Sequence, residues 1–191
     1  MLAFRWPQPL TDEIIVEIAA ANPSLRIERS AEGELILMPP LGLTGGQAEV
    51  ELSLQVALWV NEHGGRVFSS NAGFTLPNTA LRSPDAAYVT EEHWQALPPD
   101  ERRGFAHLVP DAAFELRSRT DALRDLRHKL DEYVACGVSL VVLLDPKRKV
   151  VEIRRRGVAD EIHADPEFIT FGPPLEGFTL NVRRIFERAN E

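Results

Sequence analysis

Cysteine is all but missing from this chain of 191 residues: Cys136 stands alone. No intrachain disulfide can form, and a cysteine-rich zinc site is excluded. Lysine is nearly as scarce, with Lys129, Lys147 and Lys149 the only three among 21 basic residues. No apolar run approaches the roughly 18 residues of a membrane-spanning helix, so no membrane partner is expected. The opening run, Met1 to Pro7, lacks a basic segment followed by an apolar one, which points away from a secretory signal and toward a cytoplasmic protein. Positive charge is in deficit as well: 21 Lys and Arg against 29 Asp and Glu leave a net charge of −8, which disfavours a general nucleic-acid coat protein. What is present is an ordinary globular mixture, 44% hydrophobic and 26% charged, in a length that suits one domain with a substantial core.

The basic residues are unevenly spread. Arg117, Arg119, Arg124, Arg127 and Lys129 crowd one stretch against only Asp121 and Asp125, and six more fall between Lys147 and Arg156. An acidic body with a basic strip can hold a polyanion locally and in a salt-dependent way, although charge alone is equally satisfied by a solvated face.

Periodicity predicts a layered α/β chain. A capped helix follows Thr11, and Leu25–Ile27 with Leu35–Met38 flank Glu32-Gly33 as a hairpin. Pro39-Pro40 and Gly45-Gly46 bracket a loop before a long helix from about Gln47 to Glu62, with Val50, Leu54, Ala57 and Leu58 at helical spacing. Short extended segments follow at Val67-Phe68, Gly73–Leu76, Asp85–Val89 and Ala112–Leu116, with a charged surface excursion from Thr90 to Gly104. Ser118–Asp121 reads as a capping box for a second helix, Ala122–Ala135, whose stripe is Leu123, Leu126, Leu130, Tyr133 and Val134. Ser139–Leu144 is a continuous apolar run, expected of a buried central strand, and Val150–Ile153 is its hairpin partner.

Three residues stand out chemically. Asp85 follows Ser83-Pro84 at the start of a strand, and Glu115 interrupts an apolar strand thirty residues later. Alternation sets Ala113, Glu115 and Arg117 on one face and Ala112, Phe114 and Leu116 on the other. A carboxylate in such a strand needs a partner or a metal, because an unpaired buried charge is costly. Two carboxylates on neighbouring strands suit Mg²⁺, which prefers oxygen ligands and keeps several waters. Lys129 is the lone lysine of its helix and falls at the edge of the apolar stripe, where it can lean toward Glu115. Each has an ordinary alternative: a turn aspartate, an ion pair of Glu115 with Arg117, and a snorkelling lysine.

Together these residues carry a resemblance. Gly73–Asn78, Arg82–Val89, Pro110-Asp111, Phe114–Ser118, Thr120-Asp121, Lys129, Tyr133, Gly137-Val138, Leu143–Pro146 and Leu175–Phe178 are similar to the restriction-endonuclease family of the Uma-two type, abundant in cyanobacteria, within the PD-(D/E)XK nuclease superfamily. The resemblance spans about Leu10 to Phe186. It implies a restriction-endonuclease-like core, a mixed sheet flanked by helices, with an N-terminal helix–hairpin extension. It also implies one domain over residues 1–191, divided into the extension (1–40), the nuclease core (45–155) and a C-terminal tail (156–191). By position, Asp85 and Glu115 resemble the superfamily's metal ligands, and Lys129 replaces the lysine usually found two residues past the glutamate, where Arg117 stands. A further acidic residue on the first core helix is implied, with Glu49 and Glu51 the candidates. The histidine that many relatives carry near that helix start is missing from Gly45–Ala48.

Two functions are therefore carried forward. The first is a DNA endonuclease dependent on Mg²⁺, with Mn²⁺ able to substitute, acting on double-stranded DNA as a homodimer. Asp85 and Glu115 bind the metal in this reading, Lys129 orients water, Glu49 or Glu51 assists, and Arg117, Arg119, Arg124 and Arg127 line the phosphate path. The alternative is a catalytically weak or inactive DNA-binding or protein-interaction module that keeps the nuclease fold.

Overall fold

The computed structural model describes residues 2–191, Leu2 by its backbone alone, so Met1 at the head of the expected extension lies outside the described residues. In chain order the first elements are β1 (Leu2–Arg5), α1 (Asp12–Ala21), β2 (Arg26–Arg29), β3 (Glu34–Met38), α2 (Leu43–His63), β4 (Arg66–Ser69), β5 (Phe74–Thr75), β6 (Leu81–Arg82), β7 (Ala86–Val89) and α3 (Glu91–Ala96). They are followed by β8 (Ala112–Leu116), α4 (Leu123–Ala135), β9 (Leu140–Asp145), β10 (Val150–Arg154), β11 (Glu161–Ala164), β12 (Phe168–Thr170), β13 (Thr179–Asn181) and α5 (Val182–Asn190).

The central sheet has the order β11-β10-β9-β8-β7-β4. Its one parallel pair, β8 with β9, is joined by α4 as the crossover, and its other neighbours are antiparallel. Strand β9, apolar until its last residue, is buried throughout, as a central strand covered on both faces must be. On one face, Ala112, Phe114 and Val142 pack against Ala48, Leu52 and Val56 of α2 and against Phe171, Phe178 and Ile185. On the other, Ala113, Val141 and Leu143 meet Leu130 and Tyr133 of α4. The alternation expected of β8 therefore holds, and Glu115 lies on the α4 face.

A second sheet, β1-β3-β2-β6-β5, carries α1 over a small core of Ile15, Ile27, Leu35 and Leu81. The two sheets share a covalent strut: β6 runs through Ser83-Pro84-Asp85 directly into β7. The division into extension, core and tail is consequently looser than expected. Strand β2 pairs with β6, and the tail completes the main core through Leu180, Val182 and Phe186.

Three local expectations are corrected. Helix α2 begins at Leu43, so Gly45 and Gly46 lie in its first turns rather than in a loop. Its expected core stripe faces outward: Val50, Leu54 and Leu58 are 67%, 45% and 56% exposed, and Val50, Leu54 and Ala57 with Val67 and Phe68 of the edge strand β4 wall a groove of about 540 Å³. The buried series is Ala48, Leu52, Val56 and Val60. Both series repeat every four residues and are offset by two, which puts them on nearly opposite faces of the helix. Periodicity cannot choose between them; contact with α5 and the sheet does. Finally, Ser118–Asp121 does not cap α4. The Ser118 N–H donates to Asp121 Oδ2 at 2.9 Å in its own turn, and the helix starts after Ala122 without a side-chain cap.

Candidate active site

The register that pairs Ala86 with Phe114 and Ala87 with Ala113 sets Asp85 opposite Glu115, on the face covered by α4. Asp85 is fixed by its Oδ2, which accepts a hydrogen bond from the Leu116 N–H at 2.7 Å. Both carboxylates are buried, Asp85 at 5% and Glu115 at 3% exposure.

Helix α4 delivers the next groups. Lys129 and Tyr133 are one turn apart and therefore point the same way. The Lys129 ammonium lies 2.8 Å from Glu115 Oε1, and the Tyr133 hydroxyl donates to that same oxygen at 2.9 Å. Glu115 Oε2 accepts no hydrogen bond from the described residues. The ion pair of Glu115 with Arg117 does not form; Arg117 turns to Asp145 Oδ2 at 2.8 Å.

Two further residues come from β2, on the side opposite Ile27. Glu28, 1% exposed, accepts from Lys129 Nζ at 2.8 Å and the Ser83 N–H at 3.0 Å through Oε1, and from Arg82 at 3.1 Å through Oε2. Arg82 also reaches Glu132 at 2.5 Å. Lys129 is thus held between two buried carboxylates. Arg26, at the start of the same strand, donates from Nη1 to Asp85 Oδ1 at 2.8 Å and lies 3.9 Å from Glu49 Oε2. The other Glu49 oxygen accepts from the Ser70 hydroxyl. Of the two helix candidates, Glu49 therefore faces this cluster. Glu51 does not: its carboxylate meets Arg184 of α5 at 2.9 Å and Gln55 at 3.0 Å.

Electrostatics follow from this packing. Burial pushes the Glu115 carboxyl up to about 7, Lys129 opposes that, and Asp85 and Glu28 add to it. Burial likewise raises Glu49, with Asp85 adding to it against the Ser70 hydrogen bond. For Glu28, burial alone would raise the pKa, but Lys129 and Arg82 overcome it and hold the carboxyl below its ordinary value. Burial would lower Lys129, and Glu115 and Glu28 hold it up instead. Burial first, then Glu115, pushes the Tyr133 hydroxyl well above 10, so it stays a donor.

The expected basic strip divides in two. Arg117 is committed to Asp145 and the Asp121 carbonyl, and Arg127 grips Glu152 with two hydrogen bonds at 2.9 and 2.6 Å. Arg119 is exposed, and Arg124 is exposed beside Asp125 at 3.4 Å. Of these four, Arg119 and Arg124 are the ones open to a phosphate backbone.

Sequence reasoning gave no role to Arg26, Glu28, Ser70 or Arg82, although Arg82 falls in one of the runs that carry the resemblance. The signal for Glu28 was the one that exposed Glu115: a carboxylate inside a short strand, next to Ile27. Nothing local marks Arg26 or Ser70, whose roles arise from contacts across the fold.

Among the described residues, no three His, Cys, Asp or Glu side chains are arranged so that they hold a metal ion as they stand. The donor chemistry nevertheless fits an oxygen-seeking divalent ion. Asp85 and Glu115 face each other, Glu115 keeps one oxygen free of protein donors, and Mg²⁺ completes its coordination with water.

A family model described as "Putative restriction endonuclease" (Uma2) matches residues 12–183. No protein of curated function matches the sequence. The crystal structure of a "putative nuclease belonging to DUF820" from Anabaena variabilis ATCC 29413 is similar in fold, with a TM-score of 0.75 at 19% identity, over 95% of this chain and 99% of that one.

Proposed function

This chain belongs to the Uma2 family of restriction-endonuclease-like proteins, and from that premise we propose that it is a metal-dependent endonuclease that hydrolyses phosphodiester bonds in double-stranded DNA at the Asp85–Glu115–Lys129 site. The observation that carries this reading is the juxtaposition itself: two buried carboxylates opposed across β7 and β8, with a lysine ammonium 2.8 Å from one of them. Asp85 and Glu115 would hold Mg²⁺, or Mn²⁺ in its place. The chemistry that ion supplies when bound is Lewis acidity toward the scissile phosphate and toward water.

The remaining work belongs to the chain's own side chains. Lys129 presents N–H donors beside Glu115, where they orient water and meet charge developing on phosphate oxygens. Glu28 and Tyr133 keep Lys129 and Glu115 from rotating away. Glu49 adds an acceptor on the far side of Asp85. Arg119 and Arg124 offer the exposed cations for the backbone. Cutting both strands takes two such sites, which a two-fold homodimer supplies.

Conversion of supercoiled plasmid to nicked and linear forms, with Mg²⁺ and with Mn²⁺, tests the reading. Cleavage that needs the metal and disappears in Asp85→Asn and Glu115→Ala is the expected result. Cleavage unchanged in both variants would reject the site. No cleavage by any of the three proteins, with DNA still bound, would favour the inactive binding module.

A further inference from the structure

Arg26 uses its guanidinium more sparingly than Arg29 and Arg82, the two buried arginines of the same sheet. Arg82 uses two nitrogens on two carboxylates, Glu28 and Glu132. Arg29 spends three, on the Thr79 and Leu10 carbonyls and on Asp12. A guanidinium carries five N–H donors in a rigid fork, and both of these arginines use several of them. Arg26 makes one side-chain hydrogen bond, from Nη1 to Asp85 Oδ1 at 2.8 Å, and otherwise lies 3.9 Å from Glu49. Its side chain is 20% exposed, and it is the first residue of β2. Yet it occupies the point on which the acidic groups converge. Asp85 and Glu49 flank it directly, and Glu115 and Glu28 are near enough to act on its charge.

We propose that Arg26 is a displaceable resident cation: its guanidinium compensates Asp85 and the neighbouring Glu49 while the site is free of metal, and it must leave Asp85 for a divalent ion to bind there. The inference rests on the metal-dependent reading above and adds a device to it. Arg26 lets Asp85 and Glu49 fold side by side without a metal, since buried like charges with no counter-ion are costly, while Lys129 serves Glu115. It also sets the metal affinity, because the ion competes with a tethered cation rather than entering an empty ring of oxygens. Only a ligand of higher charge density, with more than one bond to offer, displaces it.

Calorimetric titration of MgCl₂ and MnCl₂ into the wild-type chain, Arg26→Gln and Asp85→Asn tests this, together with thermal melts with and without metal. Arg26→Gln is expected to bind metal more tightly, on the order of tenfold, to melt lower than wild type without metal, and to recover more on metal addition. Asp85→Asn is expected to lose binding. A variant Arg26→Gln that binds metal no more tightly than wild type overturns the inference and leaves the metal site standing. No metal binding by either wild type or Arg26→Gln overturns the metal-dependent reading itself, and the inference with it.

Because Arg26→Gln leaves acidic groups uncompensated and can fail to fold, a wild-type measurement runs beside it. Phenylglyoxal labelling, read by mass spectrometry, is expected to modify Arg26 more when Mg²⁺ or Mn²⁺ is present, while Arg82 stays protected throughout. Equal labelling of Arg26 with and without bound metal overturns the inference.

Discussion

Glu115 is held in a state that its own chemistry disfavours. Its carboxyl is raised from 4.5 to about 7, so the metal-free fold prefers the protonated form. A raised pKa contributes stability that is complete below the ordinary value and is lost as pH rises through about 7. The shift corresponds to a cost of about 3 kcal/mol at alkaline pH. Glu115→Gln, which stays neutral, is therefore expected to gain melting temperature relative to the metal-free wild type between about pH 5 and about pH 8, as read by circular-dichroism melts at both values. Lys129 makes a complementary prediction. Lys129→Met keeps the length of the side chain and removes the ammonium, so cleavage should fall by about a hundredfold or more, while calorimetric metal affinity holds or rises because a competing positive charge is gone. A parallel fall in metal affinity would place Lys129 in the binding of the ion instead. The grouping of these residues was partly legible in advance. Asp85, Glu115 and Lys129 each break a local pattern: a carboxylate at or in an apolar strand, or the lone lysine of its helix in an arginine-rich chain. Arg26 breaks none, because a charged residue at the start of an exposed-looking hairpin is unremarkable until the fold turns it onto Asp85.

At the scale of elements, turns and packing faces separate what is local from what is not. The α2–β4 turn needs Gly64 and Gly65, with φ of +87° and +92°, in the left-handed region that glycine adopts cheaply. Their surroundings differ. A methyl group on Gly65 would lie 2.5 Å from the Tyr88 ring and 2.7 Å from the Val89 carbonyl oxygen, whereas one on Gly64 meets nothing within 4 Å. The backbone oxygen belongs to β7, which sets Asp85, and cannot shift without moving the site. Gly65→Ala is expected to cost about 2 kcal/mol or more and Gly64→Ala about 1 kcal/mol, measured by denaturant melts; equal costs would mean that the strand gives way. Such a glycine pair reads as a turn from the sequence itself. The orientation of the helix before it cannot be read so, since α2 carries two equivalent apolar series and only α5 and the sheet select one. Helix α4, by contrast, buries Leu130 and Tyr133 of the stripe its periodicity announces, because it carries a single such stripe.

Over the whole molecule, charge is partitioned between architecture and surface. Asp145 is fully buried at the end of β9, with Arg117 at 2.8 Å as its nearest cation and Arg148 holding it through the backbone N–H at 3.2 Å and the guanidinium at 3.6 Å. Removing the nearer partner of a buried charge is costly even where a second remains, so Arg117→Ala is expected to lose about 2 kcal/mol of stability. The double variant Arg119→Ala/Arg124→Ala should melt as wild type does but bind DNA more weakly, with a salt slope smaller by about 2. Fluorescence anisotropy across a salt series and thermal melts distinguish these outcomes; a salt slope unchanged in the double variant would move the DNA path elsewhere. Among the described residues no helix is long and apolar enough to cross a membrane. The sequence by itself determined the layered α/β class, the buried β9, the faces of β8 and the pair Asp85 and Glu115. These follow from periodicity, run length and the cost of burying charge, all of which act within a few residues. Tertiary structure decided which face of α2 is covered, that Glu49 rather than Glu51 joins the cluster, and that Arg26 and Glu28 complete it. Those outcomes depend on two sheets joined through residues 81–89, and side chains brought together across such a junction leave no signature in local spacing.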